Sequence, residues 1–429
     1  MSTLARTLAA AALLTSGLAQ AGEYAFDASE FEKKTFEFSG YLEQKEEGLT
    51  LRSGRPAYAL AYPGVAGRSA LLRSSSTVDL TGKLNLDPLV ADLRVQAGYA
   101  SDPLLSAVSN PKIMEGGVRW SAGPGLSLDL GKRVQRWGKG YAWTTVGFVE
   151  RPKDSSDPTA AREGFEMASA EWTKSLSGPI STISLTGLMV PSNDSMNADF
   201  GQARHLNPAA KLYLLAFDTD IDFMWRGKGA KAQSYGFDFS RNISTALEVH
   251  GEWSRTLDAP RNTVSASGVI SSQTSDYTSW LLGVRYLTPG EVTWIGEYYR
   301  NGSGYSAGEL ADYYSFLDRA LAPNAPATLA SKARSVAQSG YGRPNPGRDY
   351  LYVKASVSEP FGWLYGSASL AAMSNLNDGS WQLTPEVAYT GFNQVELRAR
   401  VIVTGGQAHS EFGEKLASRR LELTARLFF

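Results

Sequence analysis

Polar and apolar residues alternate with period two along most of this chain, the spacing at which a β-strand shows a different chemistry to each side. Stretches of roughly ten residues, the span of a tilted strand through a bilayer, recur about 18 times. The clearest cover 35–44, 72–86, 90–100, 114–121, 126–135, 165–174, 180–190, 209–217 and 219–226. The others cover 234–241, 244–255, 277–287, 292–300, 350–359, 363–373, 381–389, 395–404 and 419–429. In the last of them Leu421, Leu423, Ala425, Leu427 and Phe429 share one face, and Arg420, Glu422, Thr424 and Arg426 the other.

The connections are sorted as well. Asp87-Pro88, Ala122-Gly123-Pro124-Gly125, Ser177-Gly178-Pro179, Asp218, Asn242-Ile243, Pro289-Gly290, Glu359-Pro360-Phe361-Gly362 and Thr390-Gly391-Phe392-Asn393 are tight turns with the residues turns favour. Between them lie 45–71, 101–113, 136–164, 191–208, 256–276, 301–349 and 405–418, all longer, while 227–233 and 374–380 stay short. A soluble sandwich has no physical reason to alternate its loops this way. A membrane barrel does, because its two rims face different compartments.

Charge supports the same geometry. Asp79, Lys83, Asp92, Arg94, Glu115, Arg119, Asp129 and Arg133 alternate against apolar neighbours, as do Asp220, Asp222, Glu248, His250 and Glu252. So do Arg285, Glu297, Lys354, Glu386, Glu396, Arg398, Arg400, Glu422 and Arg426. Facing lipid, such groups would cost roughly 2–4 kcal/mol each at mid-depth, so they must line an interior. On the apolar faces Trp225, Trp253, Trp280 and Trp381 fall at the loop end, and Trp120, Trp172 and Trp294 at the turn end. Two aromatic rings suit two headgroup layers. The predicted fold is therefore all-β: a transmembrane antiparallel up-and-down barrel of about 18 strands, within a range of 16–18. A lumen of that width is aqueous unless a segment fills it.

The amino terminus fits export. Met1 to Ala21 carries Arg6, the apolar run 8–14 and Ala19-Gln20-Ala21, the plan of a cleaved secretory signal. It divides the chain into a signal peptide over 1–21 and a single barrel domain over 22–429. The run is too short to span a bilayer as a helix. With no cysteine in the chain, disulfide staples, thiolate metal sites and attached c-type haem are excluded. Without Arg6 the basic and acidic residues number 41 and 43, a balance that argues against a nucleic-acid partner.

The final stretch, ending on Phe429, resembles the closing strand of bacterial outer-membrane β-barrels. The likeness to channel-forming, porin-like barrels covers the whole mature chain. It implies residence in the outer membrane of a Gram-negative bacterium, contact with its lipid and lipopolysaccharide, and passage of small solutes rather than catalysis. A narrower likeness lies at Gly131-Lys132-Arg133-Val134-Gln135-Arg136-Trp137-Gly138. It resembles the Gly-Arg-Gln-Val-x-x-Trp-Gly pattern of outer-membrane barrels often encoded beside RND-type exporters. The chain departs from that family at Lys139, where an acidic residue is usual.

The same segment is the candidate site. Lys132, Arg133, Arg136, Lys139, Arg151 and Lys153 interleave with Trp137, Tyr141, Trp143 and Phe148 as the fifth stretch runs into a long loop. Gly138 and Gly140 permit a fold back. One reading is an inward-folded constriction of Arg133, Gln135, Arg136, Trp137, Lys139, Tyr141, Trp143, Arg151 and Lys153, whose cations meet a carboxylate or phosphate. The other is a structural charge cluster paired with Asp129, Glu150 and Asp154. The lumen charges expected around it are Asp92, Arg94, Arg119, Glu248, His250, Glu252, Arg285, Glu297, Arg398 and Arg400. In the longest loop, Ser306 and Glu309 make a capping box and Leu310, Tyr313, Leu317 and Leu321 share a helical face, which predicts a short amphipathic helix ended by Pro323 and Pro326.

Three functions fit, in descending order. The first is a channel for small solutes, anionic or amphipathic, narrowed or gated by the loop after strand five. The second is a plugged barrel serving as the outer-membrane partner of a periplasmic or inner-membrane export or lipid-transport system. The third, an outer-membrane hydrolase, rests on His250 alone. No catalytic residue, metal site or cofactor is expected: Glu248, His250 and Glu252 share a strand face, but their spacing of about 7 Å is long for one ion. The sequence sets no subunit number.

Overall fold

The computed structural model describes residues 34–201 and 204–429; the expected signal over 1–21 lies outside them. From Phe36 on, alternation becomes strand: β1 (Phe36–Leu51), β2 (Ala70–Leu86), β3 (Leu89–Ser101), β4 (Val108–Gly123), β5 (Leu126–Arg133) and β6 (Phe165–Ser175). Next come β7 (Ile180–Met189), β8 (Pro208–Ala216), β9 (Thr219–Arg226), β10 (Ser234–Asn242), β11 (Leu247–Val264) and β12 (Ile270–Leu287). The wall finishes with β13 (Val292–Arg300), β14 (Asp349–Ser358), β15 (Gly366–Asn375), β16 (Trp381–Phe392), β17 (Val395–Gly405) and β18 (Ala417–Phe428).

Each strand pairs antiparallel with its chain neighbours, and β1 pairs with β18 from Tyr41↔Phe428 to Leu51↔Ala417, which closes an 18-stranded barrel. Closure leaves no unpaired edge. At the seam Gly40 and Phe429 exchange backbone hydrogen bonds of 2.9 and 3.0 Å. A Cβ on Gly40 would stand 2.5 Å from the Asp79 carbonyl oxygen and 2.9 Å from the Phe429 ring. Only glycine lets the last residue seat there.

The apolar faces point outward: Leu42, Leu93, Trp120, Trp172, Leu185, Phe223, Trp225, Leu282, Trp294, Leu397 and Leu423 are all exposed, as a lipid-facing wall requires. No helix among the described residues is long and apolar enough to cross a membrane.

Three loops expected from sequence are shorter than predicted: β1 runs on to Leu51 and β2 begins at Ala70, so the expected 45–71 loop shrinks to 52–69. The strands β11 and β12 run on as a hairpin to Val264 and Ile270, and β4 begins at Val108. Their outer ends are rich in Ser, Thr and Asn, which pair as strands without the apolar face that a bilayer-spanning segment needs. The expected helix is α2 (Ala307–Ala320), with both halves of the Ser306/Glu309 capping box formed and Leu310, Tyr313, Phe316 and Leu317 buried. Two further helices, α1 (Pro56–Ala61) and α3 (Ala327–Ala337), had no comparable signature. Tyr313, Tyr341 and Tyr305 stack between the outer segments with centroids 4.3 and 3.9 Å apart.

Candidate functional site

After Arg133 the chain leaves the wall and returns only at Phe165. In between it folds into the barrel. Its base is apolar: Trp137, Val146, Phe148 and Val149 pack on Phe165, Met167, Leu188, Val190, Phe200, Ala209 and Met224, inward-facing or loop residues of the neighbouring wall.

Its tip is held by carboxylates. Glu252 on β11 accepts hydrogen bonds from the backbone N–H groups of Lys139 (2.8 Å), Gly140 (2.7 Å) and Thr145 (2.5 Å) and from the Thr144 hydroxyl (3.0 Å). Glu297 on β13 accepts the N–H groups of Tyr141 and Ala142, the latter at 2.8 Å, and lies 3.0 Å from His250 Nε2. Successive amide groups converging on an anion form a nest, and bonds to an ionised acceptor are the strong ones. Gly138 makes the approach feasible: its φ is +103°, and a Cβ there would sit 2.6 Å from Glu252 Oε1.

A third carboxylate takes the loop's side chain. Lys139 Nζ lies 2.9 Å from Asp222. Burial alone would depress the amine, but Asp222 outweighs it and the pKa is raised. Asp222, Asp238 and Glu252 occupy one row across β9, β10 and β11, each opposite the next in register. All three are buried beneath the loop.

Beyond the tip, Trp143 stacks on Tyr299 at 5.2 Å and touches Tyr350 and Tyr352, and its indole N–H donates to Asn345 at 3.0 Å. Ser155 donates to the same oxygen at 2.6 Å, so the long outer loop is fastened to the inner one. Asp157 reaches Arg400 on β17 at 3.0 Å. The loop therefore crosses from β5 to β9–β14 and on to β17. Glu150, buried beside Arg162 at 2.5 Å, has its carboxyl pushed up to about 7 by burial, against the pull of Arg162. The half-buried Lys153 amine is pushed down by desolvation and donates to the Gly140 and Tyr141 carbonyls.

Between the loop and the wall of β11–β14, β17–β18 and β1–β4 lies a cavity of about 1380 Å³. Its lining holds twelve basic side chains (Lys45, Arg94, Arg136, Lys139, Lys153, Arg162, Arg285, Lys354, Arg398, Arg400, Arg420 and Arg426) against six acidic ones (Glu43, Glu115, Asp154, Asp157, Glu248 and Glu422). Most of the cations are engaged: Arg94 with Asp79, Arg426 with Glu43, Arg398 with Glu396, Arg400 with Glu386 and Asp157. Arg136 and Arg285 are exposed into it.

Of the expected constriction residues, Arg136, Trp137, Lys139, Tyr141 and Lys153 line this cavity. Four do not. Arg133 is buried in the wall between Asp92 (2.5 Å) and Asp129 (2.7 Å), because it is still in strand register and faces their carboxylates. Gln135 turns to the Met167 sulfur at 3.4 Å, Trp143 fills the tyrosine cage, and Arg151 bridges Asp199 at 2.6 Å. Among the expected lumen charges, Arg94, Glu248, His250, Arg285, Arg398 and Arg400 line the cavity. Glu252 and Glu297 lie under the loop, Asp92 pairs with Arg133, and Arg119 pairs with Asp129 at 3.0 Å. Sequence reasoning did not single out Asp157, Arg162, Arg420 or Arg426 as site residues, although their charge alternation or loop position was visible.

No protein-family model matches the chain, and the search of curated proteins found no match. Solved structures do match. OccK5 (OpdH) of Pseudomonas aeruginosa aligns with a TM-score of 0.52 and 12% identity over 91% of this chain and 98% of its own. OccK2 (OpdF) of the same organism, solved in complex with glucuronate, gives 0.51 and 12% over 92% and 98%. OccK11 (OpdR) gives 0.50 and 13% over 91% and 96%. At such identity the likeness is one of fold alone, that of a closed antiparallel β-barrel.

Proposed function

We propose that this chain is an outer-membrane diffusion channel for small solutes, anionic by preference, narrowed by the inward-folded loop 134–164. The observation that carries this reading is the twofold excess of basic over acidic side chains around the cavity beside that loop. An excess of one sign of charge along a lumen concentrates the opposite ion. Arg136 on the loop and Arg285 on β12 both line the cavity without an ion pair among the described residues, so they are groups available to a passing carboxylate. The glucuronate in the OccK2 complex is a solute of the matching chemistry. Export by the sequence over 1–21 and seating in lipid and lipopolysaccharide complete the reading.

Planar-bilayer recording under a salt gradient tests it. The expected result is discrete conductance steps with an anion-selective reversal potential, reduced in Arg136→Gln/Arg285→Gln. Absence of steps, or cation selectivity indifferent to both substitutions, overturns it. One observation favours a second reading, a plugged barrel that partners an export machine: the loop reaches from β5 to Arg400 on β17. That reading predicts no liposome permeability and a co-purifying periplasmic or inner-membrane protein.

A further inference from the structure

Between β9 and β10 the chain turns through residues 227–233. Three contacts fix that turn. The Gly229 N–H donates to the Lys231 carbonyl at 3.0 Å, the Ala230 N–H to Asn207 at 2.7 Å, and the Arg226 guanidinium to the Ala232 carbonyl at 2.6 Å. They set the half-buried Lys231 side chain over two rings, its Nζ 4.1 Å from the centre of Phe200 and 6.0 Å from that of Phe165. Nearby, Lys132, Lys139 and Lys153 each find an oxygen acceptor. The Lys231 amine has no hydrogen bond or ion pair among the described residues.

Other cations crowd the same rings. The Arg151 guanidinium lies 4.1 Å over Phe165, and that of Arg226 5.7 Å over Phe148. Arg151 is matched by Asp199 at 2.6 Å. Arg226, 7% exposed, commits its terminal nitrogens to neutral oxygens of Phe148, Ala232 and Ser234, and its Nε–H has no acceptor. A guanidinium keeps its proton throughout the physiological range, so in a group of cations short of anions the amine is the one that yields. Ring faces favour an ammonium. Burial outweighs them and, with Arg226, Arg343 and Arg151, pushes the Lys231 amine down to about 7 against the pull of Asp199.

We propose that Lys231 is a modification site, an amine that adds dissolved carbon dioxide to form a carbamate. The nitrogen lone pair attacks the carbon, a C–N bond forms, one C=O π pair moves onto oxygen, and an N–H proton leaves to water. Amine and carbon dioxide thus give carbamate and a proton, with no change of oxidation state. Two observations select this electrophile. Phenyl faces admit a small uncharged molecule, and the product is an anion beside Arg226, whose Nε–H lacks an acceptor. An aldehyde would yield an imine, which brings no negative charge to a place short of it. Ala230 of the same turn packs on the cluster that holds Trp137 and Phe148, so carbamylation replaces a cation by an anion at the foot of the inward-folded loop. The inference goes beyond the channel reading and does not depend on it.

The purified full chain in detergent is equilibrated with isotope-labelled bicarbonate and trapped with triethyloxonium ion, and mass spectrometry locates the ethyl carbamate. A heat-modifiable band verifies the barrel for every variant. At about pH 8 the expected yield at Lys231 is roughly a hundredfold that of an ordinary lysine, because an amine titrating near 7 is mostly neutral there. The exposed Lys228 of the same turn is the internal comparison. The yield should fall several-fold at about pH 6, fall in Arg226→Lys, which keeps the charge but not the Nε donor, and vanish in Lys231→Arg. Competitive labelling with trace acetic anhydride reads the titration of the amine separately. A carbamate yield at Lys231 no higher than at Lys228 overturns the proposal. Labelling then says why: titration near 7 means that carbon dioxide is not the reactant, and titration in the usual lysine range means that the rings hold an ammonium. An unchanged yield in Arg226→Lys overturns the part given to Arg226.

Discussion

Removing the two carboxylates that hold the loop tip should open the lumen without unfolding the barrel. In Glu252→Ala/Glu297→Ala, five backbone N–H groups, of Lys139, Gly140, Tyr141, Ala142 and Thr145, lose their acceptors. A hydrogen bond to a charged group contributes about 1.5–3 kcal/mol, so the tip loses roughly 7–15 kcal/mol of attachment. The amides regain water only by moving off the wall. The base behaves differently: Trp137, Val146, Phe148 and Val149 remain buried, and at about 1.5–3 kcal/mol each they retain roughly 6–12 kcal/mol. Lys139 keeps Asp222 and Trp143 its tyrosines, so the expected outcome is loosening of residues 138–145 about those two contacts, with 146–150 still docked. Bilayer recording should show larger and noisier conductance, and protease should gain a cut at Lys139, while the folded band on an unheated gel persists. The doubly isosteric Glu252→Gln/Glu297→Gln, which keeps one acceptor oxygen per side chain, should fall between. Conductance and cleavage both matching the native protein would refute the assignment of these carboxylates as the tip's anchors.

Other consequences follow from the same geometry. Glu150 has a carboxyl raised from its ordinary 4.5 to about 7 in the folded loop; the stability this lends is complete below about 4.5 and disappears as pH rises through 7, a difference of roughly 3 kcal/mol. Protease protection of the loop should therefore weaken between pH 5 and 8, and Glu150→Gln should flatten that dependence. Arg133→Gln should leave Asp92 without its cation and Asp129 with Arg119 alone, and lower thermal stability by about 1–3 kcal/mol, with little change in reversal potential; a selectivity change as large as that of Arg136→Gln would count against its placement in the wall. Phe148→Ala should destabilise the loop base by about 3–5 kcal/mol, seen as cleavage beyond residue 145. Gly40→Val should slow or prevent closure of β1 on β18, read as a lower yield of heat-modifiable barrel, because its Cβ would overlap the Asp79 carbonyl and the Phe429 ring.

The barrel was legible because a bilayer imposes period two, strand length and closure all at once, and each leaves its own trace in the residues. The charges of β3, β11 and β13 pointed inward on alternation alone. Where constraint weakens, so did the reading. The outer ends of β11 and β12 are held by hydrogen bonding and polar pairing outside the apolar band, so no apolar face marks them. Helix α2 announced itself through a capping box, whereas α3 begins at Pro326 without a side-chain cap and is stabilised by packing Ala333 and Val336 against the tyrosine stack. Packing of that kind has no local signature.

The loop shows a different limit. Its six cations suggested that selectivity would come from their side chains, yet they diverge in fate. Arg133 is consumed by Asp92 and Asp129, Lys132 by Glu163, Arg151 by Asp199, Lys139 by Asp222, and Lys153 by the loop's own carbonyls. Only Arg136 is left exposed toward the cavity without an ionic partner among the described residues. What the sequence hid is that neutral backbone N–H groups take the place of cations as donors here, since every residue but proline carries one. By placing them and Lys139 on Glu252, Glu297 and Asp222, the loop buries three wall carboxylates that would otherwise face the lumen. The basic excess around the cavity is thus made by hiding acids as much as by adding bases. If that is the mechanism, deleting residues 138–145 with Glu252, Glu297 and Asp222 left in place should lower anion preference while raising conductance, because the exposed carboxylates rejoin the lining. A deletion that left the reversal potential unchanged would mean that the wall arginines alone set the sign.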